Sequence, residues 1–240
     1  MKTNMKSFLK KILPPFIVDA YKKLKSCENK YFAINDLDRK LERYLPGKNG
    51  FFVELGANNG IDQSNTLYFE RYKGWNGVLV EPVLHNYFMC RKNRSANNRI
   101  FCNACVSFDY SDSFVPIAYA NLMTLPLFDD SDVMDKYSHL ESSKKFLKQN
   151  EDVVVFGASA KTLNDILIEA NAPEIIDLLS LDVEGGELEV LKGLDLTQFS
   201  FRYMCIECRD ICRLKDYLGK HGYELIEQLS GHDYLFHKAI

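Results

Sequence analysis

The chain has 240 residues, 46% apolar and 26% charged, which is an ordinary balance for a globular protein with a sizeable core. That excludes wholesale disorder, a collagen-like repeat and a disulfide scaffold, and the length suits one domain with embellishments. Basic residues number 30 against 33 acidic ones, a net charge of −3, which argues against a nucleic-acid partner held by phosphate neutralisation.

The charge is uneven along the chain. Residues 1–30 hold eight lysines against Asp19 and Glu28, a net +6, so the remaining 210 residues carry −9. Within residues 1–34, Met5, Phe8, Leu9, Ile12 and Leu13 recur at helical spacing. A Pro14-Pro15 break follows, then Phe16, Ile17, Ala20, Tyr21 and Leu24. Such a basic amphipathic leader suits an anionic membrane surface, or a helix packed on the domain with its lysines in water. No apolar run reaches the length of about 18 needed to span a membrane, and Lys10 and Lys11 interrupt the pattern of a signal peptide. The expected location is cytoplasmic, with peripheral contact at the inner membrane surface left open.

From residue 35 to 240 the chain reads as one domain. The pattern predicts a helix over Asn35–Leu45, a buried strand over Gly50–Leu55, a helix over Ser64–Tyr72 and a strand over Gly77–Glu81. A helix over Leu84–Asn93 and a third strand over Arg99–Phe108 follow. Residues 121–151 form a polar insertion with a helix inside it. Beyond it come a helix over Thr162–Ala170 capped by Thr162, a strand over Ile175–Asp182, and a helix over Glu187–Lys192 closed by Gly193. A strand over Phe201–Glu207, a helix over Ile211–His221 and two strands, Tyr223–Gln228 and Asp233–His237, complete the chain. This alternation predicts an α/β fold, a mostly parallel sheet with helices on both faces.

The seven cysteines are an odd set in a well-sized core, which suits reduced thiols. Cys102-x-x-Cys105 and Cys205-x-x-Cys208 have the spacing of zinc half-sites. Both lie in predicted strands, where positions three apart point to opposite faces and do not converge on a metal. Buried thiols are the expectation.

In an open parallel sheet the ligand lies at the carboxyl ends of the strands. The first strand ends in Glu54-Leu55-Gly56-Ala57-Asn58-Asn59-Gly60, where small residues allow close backbone approach to a ligand. It is not G-x-G-x-x-G, so a nicotinamide cofactor is disfavoured. The second strand ends in Glu81, placed to accept from both hydroxyls of an adenosine ribose. The fourth ends in Asp182-Val183-Glu184-Gly185-Gly186-Glu187, and the fifth in Glu207-Cys208-Arg209. Asp182, Glu184 and Glu207 are candidates for a general base, and Asp182 and Glu207 for metal ligands. Glu187 reads as a helix N-terminal carboxylate. Glu207 has a second reading as a salt-bridge partner of Arg209 or Arg202. His139 and His232 read as surface residues.

Together VELGANNG, SNTLYFE, GWNGVLVEP, NACVS, TLNDIL, LSLDVEGGELEVLKGL and LGKHGYEL, in order from Phe51 to Phe236, resemble the FkbM family of S-adenosylmethionine-dependent methyltransferases. The resemblance implies a Rossmann-like sheet of seven strands with the last antiparallel, and O-methylation of a hydroxyl, commonly on a sugar or polyketide. It implies that Glu54, Gly56, Ala57, Asn58, Asn59 and Gly60 hold the methionine part of S-adenosylmethionine, with Ser64 and Asn65 at its carboxylate. Glu81 would bind the ribose, Asn103 and Ala104 the adenine side, and Asp182 would lie below the sulfonium. Many members carry a histidine shortly after the acid of the fifth strand; here that stretch is Glu207-Cys208-Arg209, so a base role for such a histidine does not transfer.

The expected function is therefore O-methyl transfer to a sugar hydroxyl in a surface glycan or glycoconjugate, with 121–151 as an acceptor-side lid. Its Tyr137, His139 and Phe128, with Tyr119 beside it, suit contact with a carbohydrate or a role in the core. Two other classes remain: a non-catalytic adaptor that keeps the fold, and a nicotinamide oxidoreductase, disfavoured by the missing glycine pattern. A base-only and a metal-assisted mechanism stand side by side. Neither the acceptor nor the oligomeric state follows from the sequence.

Overall fold

The computed structural model describes residues 30–120, 124–128 and 152–239. The leader up to residue 29, and with it the membrane reading, lies outside the described residues, as do 129–151, which include Tyr137 and His139.

Eleven strands and six α-helices are described. In chain order they are α1 (Leu37–Glu42), β1 (Phe51–Leu55), α2 (Leu67–Lys73), β2 (Asn76–Val80), α3 (Leu84–Asn93), β3 (Arg99–Phe101), β4 (Ala104–Val106), β5 (Phe114–Tyr119) and β6 (Leu125–Pro126). The rest are β7 (Val154–Thr162), α4 (Leu163–Glu169), β8 (Ile175–Leu181), α5 (Glu187–Lys192), β9 (Ser200–Glu207), α6 (Ile211–Lys220), β10 (Tyr223–Gln228) and β11 (Asp233–Lys238). The main sheet has seven strands in the order β10-β11-β9-β8-β1-β2-β3. Its inner strands run parallel, and β11 is antiparallel to both β9 and β10. The α/β expectation, with an antiparallel closing strand, holds.

Strand alternation divides the core in two. Phe52, Leu79, Leu178 and Cys205 face α1–α3 and pack with Leu41, Tyr68, Phe69 and Trp75. Val53, Val78, Leu179 and Met204 face the other way, toward Leu163, Leu167 and Leu191 of α4 and α5 and Leu214 and Leu218 of α6. Glu54, between Val53 and Leu55, therefore points to the α2–α3 side. The buried Cys105 and Cys205 thiols are pushed up by burial, Cys105 to about 12. No cysteine belongs to a metal-binding cluster among the described residues.

Three local expectations need correction. The predicted strand Arg99–Phe108 is two: β3 pairs with β2, then the chain leaves the sheet edge at Cys102-Asn103 and β4 pairs with β7. That second pairing belongs to a four-stranded sheet, β4-β7-β5-β6, for which the sequence reading has no counterpart. Pro116 lies inside β5, and a proline argues against a strand when read from sequence. The helix predicted from Ser64 begins at Leu67, because Ser64 turns back to accept from Leu67 N at 3.1 Å while its hydroxyl donates to Glu54. Elsewhere the expected cap is present, with Thr162 Oγ1 accepting from Asp165 N at 3.1 Å. Gly193 does follow α5, but with φ −95° it is not a left-handed cap. It is needed for close approach, since a Cβ there would lie 1.9 Å from Val106 O.

Candidate active site

A pocket opens where β1, β2 and β8 end, with the small sheet forming its far wall through Ile117, Thr124, Pro126 and Phe128. The loop after β1 shapes its floor. Gly56 N and Ala57 N both donate to Val80 O at 3.1 Å, folding the chain across the end of β2. Gly56 has φ 78°, and a Cβ there would lie 1.9 Å from Asp182 O, so the loop is pressed against the end of β8. Only glycine meets both conditions.

Glu81 closes the β2 side. Its carboxylate accepts from Asn58 N at 2.8 Å and Val83 N at 2.9 Å. Burial pushes it up to about 7, and the bonds from Val83, Asn58 and the Asn86 side chain hold it from rising further. Asn58 itself has φ 46°, a left-handed turn held by that carboxylate.

Glu54 is not in the pocket wall. Its carboxylate accepts from Ser64 Oγ at 2.9 Å, Asn65 N at 3.0 Å, Thr66 Oγ1 at 2.6 Å and Arg94 Nη1 at 3.0 Å. It anchors the loop from beneath, where the resemblance places it at the methionine part of the cofactor. Asn59 and Gly60 also face away. Asn59 Oδ1 accepts from Ile61 N and Asp62 N, each at 2.9 Å, and Gly60 (φ 81°) lies against Arg94 and Cys90. Asn65 is buried, donating to Ser180 Oγ at 2.9 Å, and its Oδ1 has no hydrogen-bond partner. The expected residues that do line the pocket are Gly56, Ala57, Asn58 and Ser64 from the loop, Glu81, Asn103 and Ala104 ahead of and within β4, and Asp182 and Glu184.

On the β8 side the three candidate carboxylates meet. Asp182, Glu184 and Glu207 each bring an oxygen within 4.8 Å of the others. They come from two neighbouring strand ends, since Leu181 pairs with Ile206 in parallel register. Glu184 has φ 55° and accepts from Arg209 Nη2 at 2.8 Å. Glu187, as read from sequence, serves its own helix start, accepting from Val183 N at 3.0 Å and Gly185 N at 3.1 Å. Asp182 is reached by solvent from the pocket yet crowded by protein on its other sides. Burial first, then the charge of Glu207 and a hydrogen bond with it, then Glu184 and Glu187, hold its carboxyl well above the usual range. Such a carboxylate is suited to take a proton from a hydroxyl.

Several contributors were invisible to sequence reasoning. Asp62, Gln63 and Asn86 line the pocket without belonging to any recognised motif. Arg94, just beyond the end of α3 and outside every motif of the sequence, is buried. Burial alone would pull its guanidinium down, and Glu54 and Glu70 more than reverse that.

A methyltransferase from Beauveria bassiana (strain ARSEF 2860), Methyltransferase 1, is 27% identical over 152 residues, spanning 60% of this chain and 58% of its own length. Methyltransferase sdnD from Sordaria araneosa is 31% identical over 162 residues, spanning 61% of each. The chain thus covers about three fifths of the curated relatives it matches. The crystal structure of a methyltransferase from Geobacter sulfurreducens superposes with a TM-score of 0.44 at 12% identity, covering 100% of this chain and 98% of the other. The family model described as the methyltransferase FkbM domain matches residues 54–229, from the acid that anchors the glycine loop to the turn beyond β10. The chain belongs to the FkbM methyltransferase family.

Proposed function

We propose that the protein is an S-adenosylmethionine-dependent O-methyltransferase whose acceptor is a hydroxyl, on a sugar of a surface glycan or glycoconjugate. The observation that carries this reading is the placement of Asp182, Glu184 and Glu207 within 4.8 Å of one another beside a pocket walled by Gly56 and Glu81.

The pocket residues fit the cofactor by their chemistry. Glu81 offers carboxylate oxygens to a diol such as ribose, and Asn103, Ala104 and Pro82 provide a flat, partly apolar wall for a purine. Asn58, Asp62 and Gln63 offer side chains to an amino acid head group. Gly56 lets the loop lie directly on the end of β8, because its Cβ position is taken by Asp182 O. When bound, S-adenosylmethionine supplies a methyl group already activated by the sulfonium.

The chain's own work is then alignment and proton removal. A sugar hydroxyl is a weak nucleophile, and Asp182 takes its proton as the oxygen attacks. Burial and the neighbouring carboxylates raise its proton affinity, which suits it to this step. Arg209 is ion-paired with Glu184, the carboxylate beside Asp182. Where the resemblance expects a histidine after the strand acid, this site uses carboxylates. Thr124 and Phe128 form the wall that faces the acceptor. A divalent cation on Asp182 and Glu207 is the competing version of the same chemistry. The basic leader, in this reading, holds the enzyme near a lipid-linked acceptor.

The test is a methyl-transfer screen against nucleotide sugars and glycan acceptors, with and without EDTA, beside calorimetry with S-adenosylmethionine and NAD. Methyl transfer insensitive to EDTA supports a base-only mechanism, and loss with EDTA supports the metal. Binding of NAD alone, or of neither cofactor, overturns the proposal.

A further inference from the structure

The buried cation beneath the glycine loop has no part in the chemistry described above, yet it is tied to every element that shapes the loop. Arg94 Nη1 donates to Glu54 Oε2 at 3.0 Å and Ser64 Oγ at 3.2 Å, and approaches Gly60 O at 3.4 Å. Nη2 donates to Thr66 Oγ1 at 2.9 Å and Nε to Glu70 Oε2 at 2.7 Å. The guanidinium lies over the Phe52 ring, 5.3 Å from its centroid, and the side chain has no exposed surface. Glu70 in turn accepts from Ser95 N at 3.0 Å and Asn98 Nδ2 at 2.6 Å. One planar cation thus joins the end of β1, both ends of the 60–66 segment, α2 and the turn after α3.

Resting on the cofactor reading above, we propose that Arg94 is a positioning residue for S-adenosylmethionine: it holds the 56–66 loop in its binding shape and so sets cofactor affinity rather than the rate of the chemical step. The reason is the division of labour at the loop. Gly60 packs on Arg94 so tightly that a Cβ would lie 2.8 Å from Arg94 Cγ. Glu54, whose charge Arg94 balances, accepts the Ser64 and Thr66 hydroxyls and the Asn65 amide on the segment that turns Ser64 to the pocket wall. A lysine would keep the charge but not the fork, since an ammonium on a flexible stem cannot hold Glu54, Glu70 and Thr66 in one plane.

The experiment compares wild type, Arg94→Lys and Thr66→Val by calorimetry with S-adenosylmethionine, by methyl-transfer kinetics, and by hydrogen exchange of loop amides without ligand. Thr66→Val is nearly isosteric and removes one hydroxyl of the network, so it reports even where Arg94→Lys folds poorly. The expected result is a Kd and cofactor KM raised at least tenfold in Arg94→Lys and severalfold in Thr66→Val. In both, kcat at saturating cofactor stays within about threefold, and amides 56–67 exchange faster than those of β8. An unchanged Kd in both variants overturns the inference, as does a kcat that falls in proportion to the rise in KM. Wild type that binds no S-adenosylmethionine overturns the functional proposal and this inference with it; wild type that binds while the variants match it overturns this inference alone.

Discussion

Asp182 and Glu207 bring carboxyl oxygens within 4.8 Å of each other across the ends of β8 and β9. The pair comes from strand ends 25 positions apart, brought level by the parallel register Leu181–Ile206. Burial, and after it the charge of Glu207 so close by, holds the Asp182 carboxyl well above its usual range.

Asp182→Asn is expected to lower turnover by roughly 100- to 10,000-fold, the usual contribution of a general base. Calorimetry should show cofactor binding retained. The same substitution has a stability signature with a definite sign. A carboxyl whose folded value is raised binds more protons folded than unfolded, so its stability contribution is lost as pH rises through the folded value. The asparagine variant should therefore gain thermal stability over wild type at pH 8 and not at pH 4. Equal melting curves at both would show that its surroundings do not raise the Asp182 carboxyl, and unchanged methyl transfer would remove it as the base.

Glu81 predicts a second pH dependence. Burial places it at about 7, and a carboxylate accepts from a diol best when ionised. Cofactor affinity should fall roughly tenfold per pH unit below that value and level off above it. Titrations from pH 5.5 to 8.5 check this, and Glu81→Gln should flatten the profile while weakening binding throughout. A wild-type profile that is flat from pH 5.5 to 8.5 would contradict the assignment.

Gly56→Ala tests the floor of the pocket. The left-handed backbone and a Cβ 1.9 Å from Asp182 O act together at this position. The expected destabilisation is about 2–4 kcal/mol by urea unfolding. A loss below about 0.5 kcal/mol, typical of an unconstrained surface position, would show that the loop does not press on β8.

The lysine-rich leader predicts an electrostatic address. The full chain should bind vesicles containing phosphatidylserine more tightly than neutral ones, with binding weakened by salt. Removing residues 1–25 should abolish the preference. Equal binding before and after deletion would assign the leader to the domain surface instead.

The sequence by itself determined much of this protein. Alternation of apolar runs located nearly every strand and helix of the main sheet, because burial on two faces imposes its own period. The strand-end positions of Gly56, Glu81, Asp182 and Glu207 were legible for the same reason: in a parallel sheet, polar residues at the ends of apolar strands collect on one edge. What only the tertiary structure decided concerns partners distant in the chain. Glu54 reads as a ligand-facing acid, but strand alternation turns it toward α2 and α3, where Arg94 waits 40 positions away. The small sheet was hidden because β5 contains Pro116 and because β4 and β7 pair across more than 50 residues. Local periodicity records which face of an element is buried. It does not record which distant group supplies the neutralising charge, and at this site that group holds the loop.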